Sequence, residues 1–237
     1  MRKNRKDKRG FSLTEVLLAV GTLAIGTLLV AGVFPVAIYF AADSTEQTIA
    51  AVVANEAFAK IRIYGVDLSK VKHDSCVPYA DVRVTPGEVE DIFLYPSTNE
   101  VVDKRYYWSA LCRLTGAGSR EVQATVFVCR NVAGAGGPVE PAPVLVKPDS
   151  GLTDRLQIIN PTLFWVINEG YSLVDHKTGM VYKVEEKYPP PENGLIRLDK
   201  PWQGSHDLVG ERVWVVGPAT PGGRSPCIAV YQEVIRF

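Results

Sequence analysis

Histidine is scarce in this chain. His73, His176 and His206 are the only three among 237 residues, and none stands in an HExxH pair or beside a second obvious ligand. A histidine-built zinc or general-base centre therefore has no support in the sequence. No GxSxG elbow, P-loop or dinucleotide fingerprint occurs either. The glycine cluster Gly134-Ala135-Gly136-Gly137 runs into Pro138 rather than into a helix start, which argues against a phosphate cradle. The four cysteines are not spaced as a CxxC zinc site, and Asp149 and Asp154 lack the spacing of a calcium loop. His73-Asp74-Ser75-Cys76 reads as a polar loop before Val77-Pro78. These absences predict a chain that is not an enzyme and needs no metal or cofactor.

The most telling scarcity is of charge. Residues 16–42 carry none, although 22% of the whole chain is charged. Twenty-seven uncharged residues form a helix of roughly 40 Å, enough to cross a bilayer core with some tilt. Before this run stands one carboxylate, Glu15, and before that a leader, 1–10, holding Arg2, Lys3, Arg5, Lys6, Lys8 and Arg9 against Asp7. The basic flank places the leader in the cytoplasm and the rest of the chain outside it. The run is about twice the length of a secretory signal's apolar region, and Asp43-Ser44-Thr45-Glu46 offers no small-x-small cleavage site. An ionisable group at membrane depth is costly and marks a functional site by default.

The order of basic leader, glycine, aromatic residue, three further residues and glutamate, followed by a long apolar helix, is carried here by Gly10-Phe11-Ser12-Leu13-Thr14-Glu15. It resembles the N-terminus of the type IV pilin and type II secretion pseudopilin superfamily, over about 50 of 237 residues. The resemblance implies cleavage after Gly10 by a prepilin peptidase, N-methylation of Phe11, and transfer of the helix from the inner membrane into a filament by a membrane assembly platform. It implies that Glu15 pairs with the Phe11 amine of a neighbouring subunit. A buried carboxylate is tolerated when paired with a cation, and that amine exists only after cleavage. The implied partners are other pilin or pseudopilin subunits, the peptidase, and the lipid bilayer before assembly. The implied locations are the inner membrane and then a periplasmic or cell-surface filament. Alternative readings are a membrane-anchored extracytoplasmic β-domain that binds a ligand, and a DNA-uptake (competence) pilin.

The leader holds six of the 26 basic and one of the 26 acidic residues, so cleavage leaves 20 against 25. This balance argues against a general nucleic-acid surface. Cys76, Cys112, Cys129 and Cys227 fall in the portion expected outside the cytoplasm, where disulfides are permitted, and they allow three full pairings. If 115–120 is a hairpin turn, Cys112 and Cys129 are expected to share a face without sitting opposite one another.

Beyond residue 42 the helical pattern continues, with Ala50, Val53, Ala54, Ala57, Phe58 and Ile61 at three- and four-residue intervals before Gly65. One helix is expected over 11–64, membrane-embedded over 11–42 and amphipathic over 43–64, with Pro35 removing one hydrogen bond and kinking it. The pattern then changes to period two. Residues 106–114 and 121–130 flank a glycine-containing turn, and 227–237 reads as another strand. Residues 133–149 are assigned to a linker. Short apolar runs at 156–159, 163–167, 171–174, 180–184, 195–198 and 212–216 suggest a small β-barrel or sandwich over 150–220, with His176 in an exposed turn. Among the aromatics, Tyr106, Tyr107, Trp108, Trp165, Tyr171, Tyr182, Tyr188 and Trp202 are expected to be mostly core. The fold expected is α+β: a long N-terminal helix packed on an antiparallel sheet head built from 65–132 and 221–237, with the small β module inserted. So large a head suits a minor pilin-like subunit, because the module would crowd a dense helical array.

Overall fold

The computed structural model describes residues 12–84, 92–97, 104–131, 140–149, 151–189, 194–204, 210–217 and 225–237. Two compact units, Met1–Glu46 and Gln47–Phe237, divide the chain. Helix α1 (Leu13–Tyr64) runs through 52 residues and stays helical on both sides of Pro35. It stops where Gly65, at φ +73°, donates its N–H to the Ile61 carbonyl at 3.0 Å. This is the left-handed C-terminal cap that a Cβ would strain.

In the second unit the final turns of α1 bury Ala50, Val53, Ala54, Ala57, Phe58 and Ile61. These residues pack on an antiparallel sheet in the order β1 (Val77–Pro78), β3 (Tyr106–Leu114), β4 (Glu121–Arg130), β11 (Cys227–Arg236), with β2 (Leu94–Tyr95) also on β3. A short helix, α2 (Tyr79–Val82), adds Tyr79 and Val82 to the same core. The hairpin pairs Tyr106 with Arg130 and Leu114 with Val122 around a turn with Gly118 at φ +73°. Alternation then sends Trp108, Ala110, Cys112, Val122, Ala124, Val126 and Val128 toward α1. Three alanines on the helix stripe let the axis approach the sheet closely, and burial of this face stabilises by about 25 cal/mol per Å².

The remaining strands close a six-stranded barrel in the order β10-β5-β6-β9-β8-β7. These are β5 (Ala142–Pro148), β6 (Arg155–Ile158), β7 (Ser172–Asp175), β8 (Val181–Tyr188), β9 (Leu195–Leu198) and β10 (Glu211–Val215). Closure leaves no open edge. Leu156, Tyr182, Ile196 and Val213 fill the interior together with Phe164 and Ile167. Two expectations are corrected here. Residues 142–148, assigned to a linker, form β5, which pairs with β10 over 142–146 and with β6 over 146–148. Pro143 and Pro148 therefore each face only one hydrogen-bonding neighbour, where a missing N–H costs little. The run 163–167 is not a strand. Asn160 caps a short helix, α3 (Pro161–Phe164), by accepting from the Thr162 N–H at 3.0 Å, with Pro161 at its start.

A third core lies between the sheet's other face and the barrel wall, where Tyr107, Leu111, Phe127 and Cys129 meet Val174, Trp214 and Val216. The 175–180 turn is wedged into this junction, unlike the exposed turn expected. Fully buried Asp175 accepts from the backbone N–H of Lys177 (3.2 Å) and of Thr178 (3.0 Å). Gln232 of β11 donates to the Gly179 carbonyl at 2.6 Å, and the Cys76 N–H donates to the His176 carbonyl at 2.7 Å. A Cβ on Gly179 would stand 2.9 Å from the Arg113 side chain. His176 is half-buried, and its Nδ1 accepts from the Trp214 indole N–H at 3.0 Å.

That acceptor must be unprotonated. Burial first, then Arg212, holds the His176 pKa below the usual 6.5, against the opposing pull of Asp175, Asp74 and Glu211. Protons are then bound more readily by the unfolded chain, so stability is complete above pH 6.5 and falls as pH drops below it. In detergent, the wild-type melting temperature is expected to fall between about pH 7 and 5 more steeply than that of His176→Gln, which retains an acceptor without titrating. Parallel curves for the two proteins would refute this assignment.

Candidate assembly helix and its N-terminal carboxylate

Ser12 precedes the first helical residue, and Glu15 lies three positions on. The Glu15 Oε2 accepts the Ser12 backbone N–H at 3.2 Å, while the Val16 N–H closes the first helical bond to the Ser12 carbonyl at 3.2 Å. This is the glutamate half of a capping box, and the helix dipole favours a carboxylate in the first turn. The Ser12 hydroxyl contacts Thr14 Oγ1 at 2.6 Å rather than completing the reciprocal half. The Ser-x-x-Glu spacing carries this signal, a local role for Glu15 beside that of a charge at membrane depth. Gly10 and Phe11, the expected processing residues, lie outside the described residues.

From Leu13 to Ala42 every side chain is exposed, including Leu17, Leu28, Phe34 and Phe40 at 61–73%. The helix is long and apolar enough to cross a membrane. An exposed apolar surface of this extent is stable only under lipid or against other helices. Two of its threonines are satisfied within the helix: Thr22 donates to the Ala19 carbonyl and Thr27 to those of Leu23 and Ala24, each at 2.9 Å. Gly21, Gly26 and Gly32 have open space at their Cβ positions. A groove lined by Ala19, Thr22, Gly26 and Val30 follows one side of the helix, at the spacing by which a second helix approaches closely. Tyr39 and Phe40, whose rings lie 6.0 Å apart, fall near the C-terminal end of the uncharged stretch, where aromatic residues would favour a membrane interface.

The other singled-out residues do not converge on a site. Cys76, Cys112 and Cys129 are buried, Cys227 is half-buried, and all four stand as free thiols. Cys112 and Cys129 lie on opposite faces of the sheet, contrary to expectation. The register pairs Cys112 with Ala124, an odd five residues from Cys129. Burial pushes the Cys76 and Cys112 thiols up to about 12, which makes them poor nucleophiles. Tyr107, Trp108, Tyr171, Tyr182 and Trp202 are core, whereas Trp165 is 58% exposed. A groove of about 330 Å³ on the head is lined by Ile49, Val52, Tyr95 and Tyr106 and holds no acid–base pair. Among the described residues no group of three or more His, Cys, Asp or Glu side chains is placed to hold a metal ion. No protein-family model, curated protein or solved structure matches the chain.

Proposed function

We propose that this chain is the precursor of a minor pilin or pseudopilin, a structural subunit of a type IV pilus or type II secretion-like filament. A prepilin peptidase cuts after Gly10, the new Phe11 amine is methylated, and residues 11–42 pass from the inner membrane into the filament core. The observation that carries this reading is one carboxylate, Glu15, four residues beyond Phe11 and at the head of a helical stretch, 13–42, that is otherwise charge-free and exposed throughout. Exchanging lipid for neighbouring helices is nearly neutral in hydrophobic terms, so packing and polar pairing must supply the specificity. Glu15 supplies the polar partner, and the new amine of an adjacent subunit supplies its cation. The barrel beside the sheet enlarges the head, which suits a low-abundance or tip position better than a dense array.

Mass spectrometry of the protein from membranes containing an active prepilin peptidase is expected to find an N-terminus at methylated Phe11. An intact Met1 would instead identify a membrane-anchored β-domain protein. A start beyond residue 40 would identify an ordinary secreted one.

A further inference from the structure

We propose that Cys129 and Cys227 close a disulfide in the mature protein, stapling the last strand to the sheet and enclosing the whole barrel in one covalent loop. Cys129 on β4 and Cys227 on β11 are direct cross-strand partners. At the adjacent pair, the Arg130 N–H donates to the Pro226 carbonyl at 2.8 Å, which makes that pair the hydrogen-bonded one. Antiparallel ladders alternate, so Cys129 and Cys227 occupy a non-hydrogen-bonded position, where opposed Cα atoms lie about 4.5 Å apart and side chains are closest. Consistent with this, the Cys227 N–H is taken by the Ser225 hydroxyl at 3.2 Å and not by the ladder. A disulfide spans Cα separations of about 4.4–6.8 Å, so the backbone need move little.

The other two cysteines are excluded from such a bond. Val77, and not Cys76, stands opposite Cys112. Cys112 faces helix α1, whereas Cys76 belongs to the core on the barrel side. The Cys129 thiol is fully buried, and its pKa is raised by burial and by its contact with the Cys227 thiol. The half-buried Cys227 is therefore the accessible sulfur. Its thiolate attacks the disulfide of an oxidant, glutathione disulfide or an oxidised dithiol protein, and releases one thiol. The Cys129 thiolate then displaces the second. The net change converts two protein thiols and one oxidant disulfide into one protein disulfide and two oxidant thiols, which keep the two protons.

The 97 residues between the pair contain all six barrel strands. Once closed, the bond holds β11 on β4, and with it Gln232 on the barrel turn and Glu233 in its ion pair with Arg62 of α1. The proposal rests on the extracytoplasmic placement of the head in the proposed function, since the cytoplasm would keep both thiols reduced.

The test uses the full chain from membranes, acid-trapped, denatured and treated with N-ethylmaleimide. Two labels before reduction and four after, with a Cys129–Cys227 linked peptide, are expected. The Cys76→Ala/Cys112→Ala variant should take no label until reduced. Reduction should lower the wild-type melting temperature by about 5–10 °C and leave that of Cys227→Ala unchanged. Four labels even after incubation with glutathione disulfide, or a linked peptide containing Cys76 or Cys112, overturn the pairing. Four labels in membranes but two after glutathione disulfide overturn the bond in the cell and indict the extracytoplasmic placement, while the geometry stands.

Discussion

In cells with an active prepilin peptidase, Gly10→Val is expected to run at precursor size, with residues 1–10 retained and no filament incorporation. In the proposed processing Gly10 is the residue before the cut, and valine replaces the smallest side chain there with a branched one. The consequences reach beyond the lost cut. The retained leader keeps six basic side chains and one acid at the head of the helix, and the Phe11 amine that Glu15 needs never forms. In the proposed topology that basic leader keeps the helix anchored on the cytoplasmic side. Gel mobility and intact mass read the outcome directly, and wild-type and variant chains of equal size would sink the cleavage claim.

Glu15 offers the second large effect, and its capping geometry makes the test sharper. Its carboxylate already serves the Ser12 N–H of its own helix, so a defect in Glu15→Val could arise from a lost cap or from a lost ion pair. The two causes differ in size. A lost cap interaction costs about 1 kcal/mol, a few-fold in any equilibrium. In the proposed pairing, leaving a neighbour's buried amine without its counter-charge costs about 3–5 kcal/mol, roughly two to three and a half decades. Glu15→Gln separates them, because glutamine also serves in a capping box but carries no charge. Both variants are expected to be cleaved after Gly10, and both to incorporate at least tenfold less than wild type. Near-normal incorporation of Glu15→Gln beside defective Glu15→Val would reduce Glu15 to a helix cap.

Local rules carried further in some segments than in others. The stripe from Ala50 to Ile61 and the stop at Gly65 were legible because one helix face meets one apolar surface. The 106–130 hairpin was legible as strands, but its register was not. A one-residue error in the turn exchanges faces, and so Cys112 and Cys129 were placed together when they lie apart. Strand β5 hid behind its prolines: Pro143 and Pro148 read as linker unless it is known that each faces a single hydrogen-bonding neighbour. Two further features have purely local signals, Asn160-Pro161 as the start of α3 and Ser12-x-x-Glu15 as a capping box. The wedge formed by 175–180 had none. Its burial depends on Trp214, Gln232 and Cys76, which lie far away in sequence and meet it only in the folded head.

The barrel leaves β4 and returns to β11, two strands that lie side by side. By chain geometry alone it is a cassette: its entry and exit share one doorway, and a short turn could bridge the gap with the sheet order kept. What resists excision is the wall behind it. Tyr107, Leu111 and Phe127, each no more than 1% exposed, would lie bare without the barrel against them. The module is thus simple to insert or exchange along the chain and hard to do without once the sheet has been surfaced to receive it. A lineage that gained it could replace its outward loops freely, but could shed it only by repainting that face with polar residues.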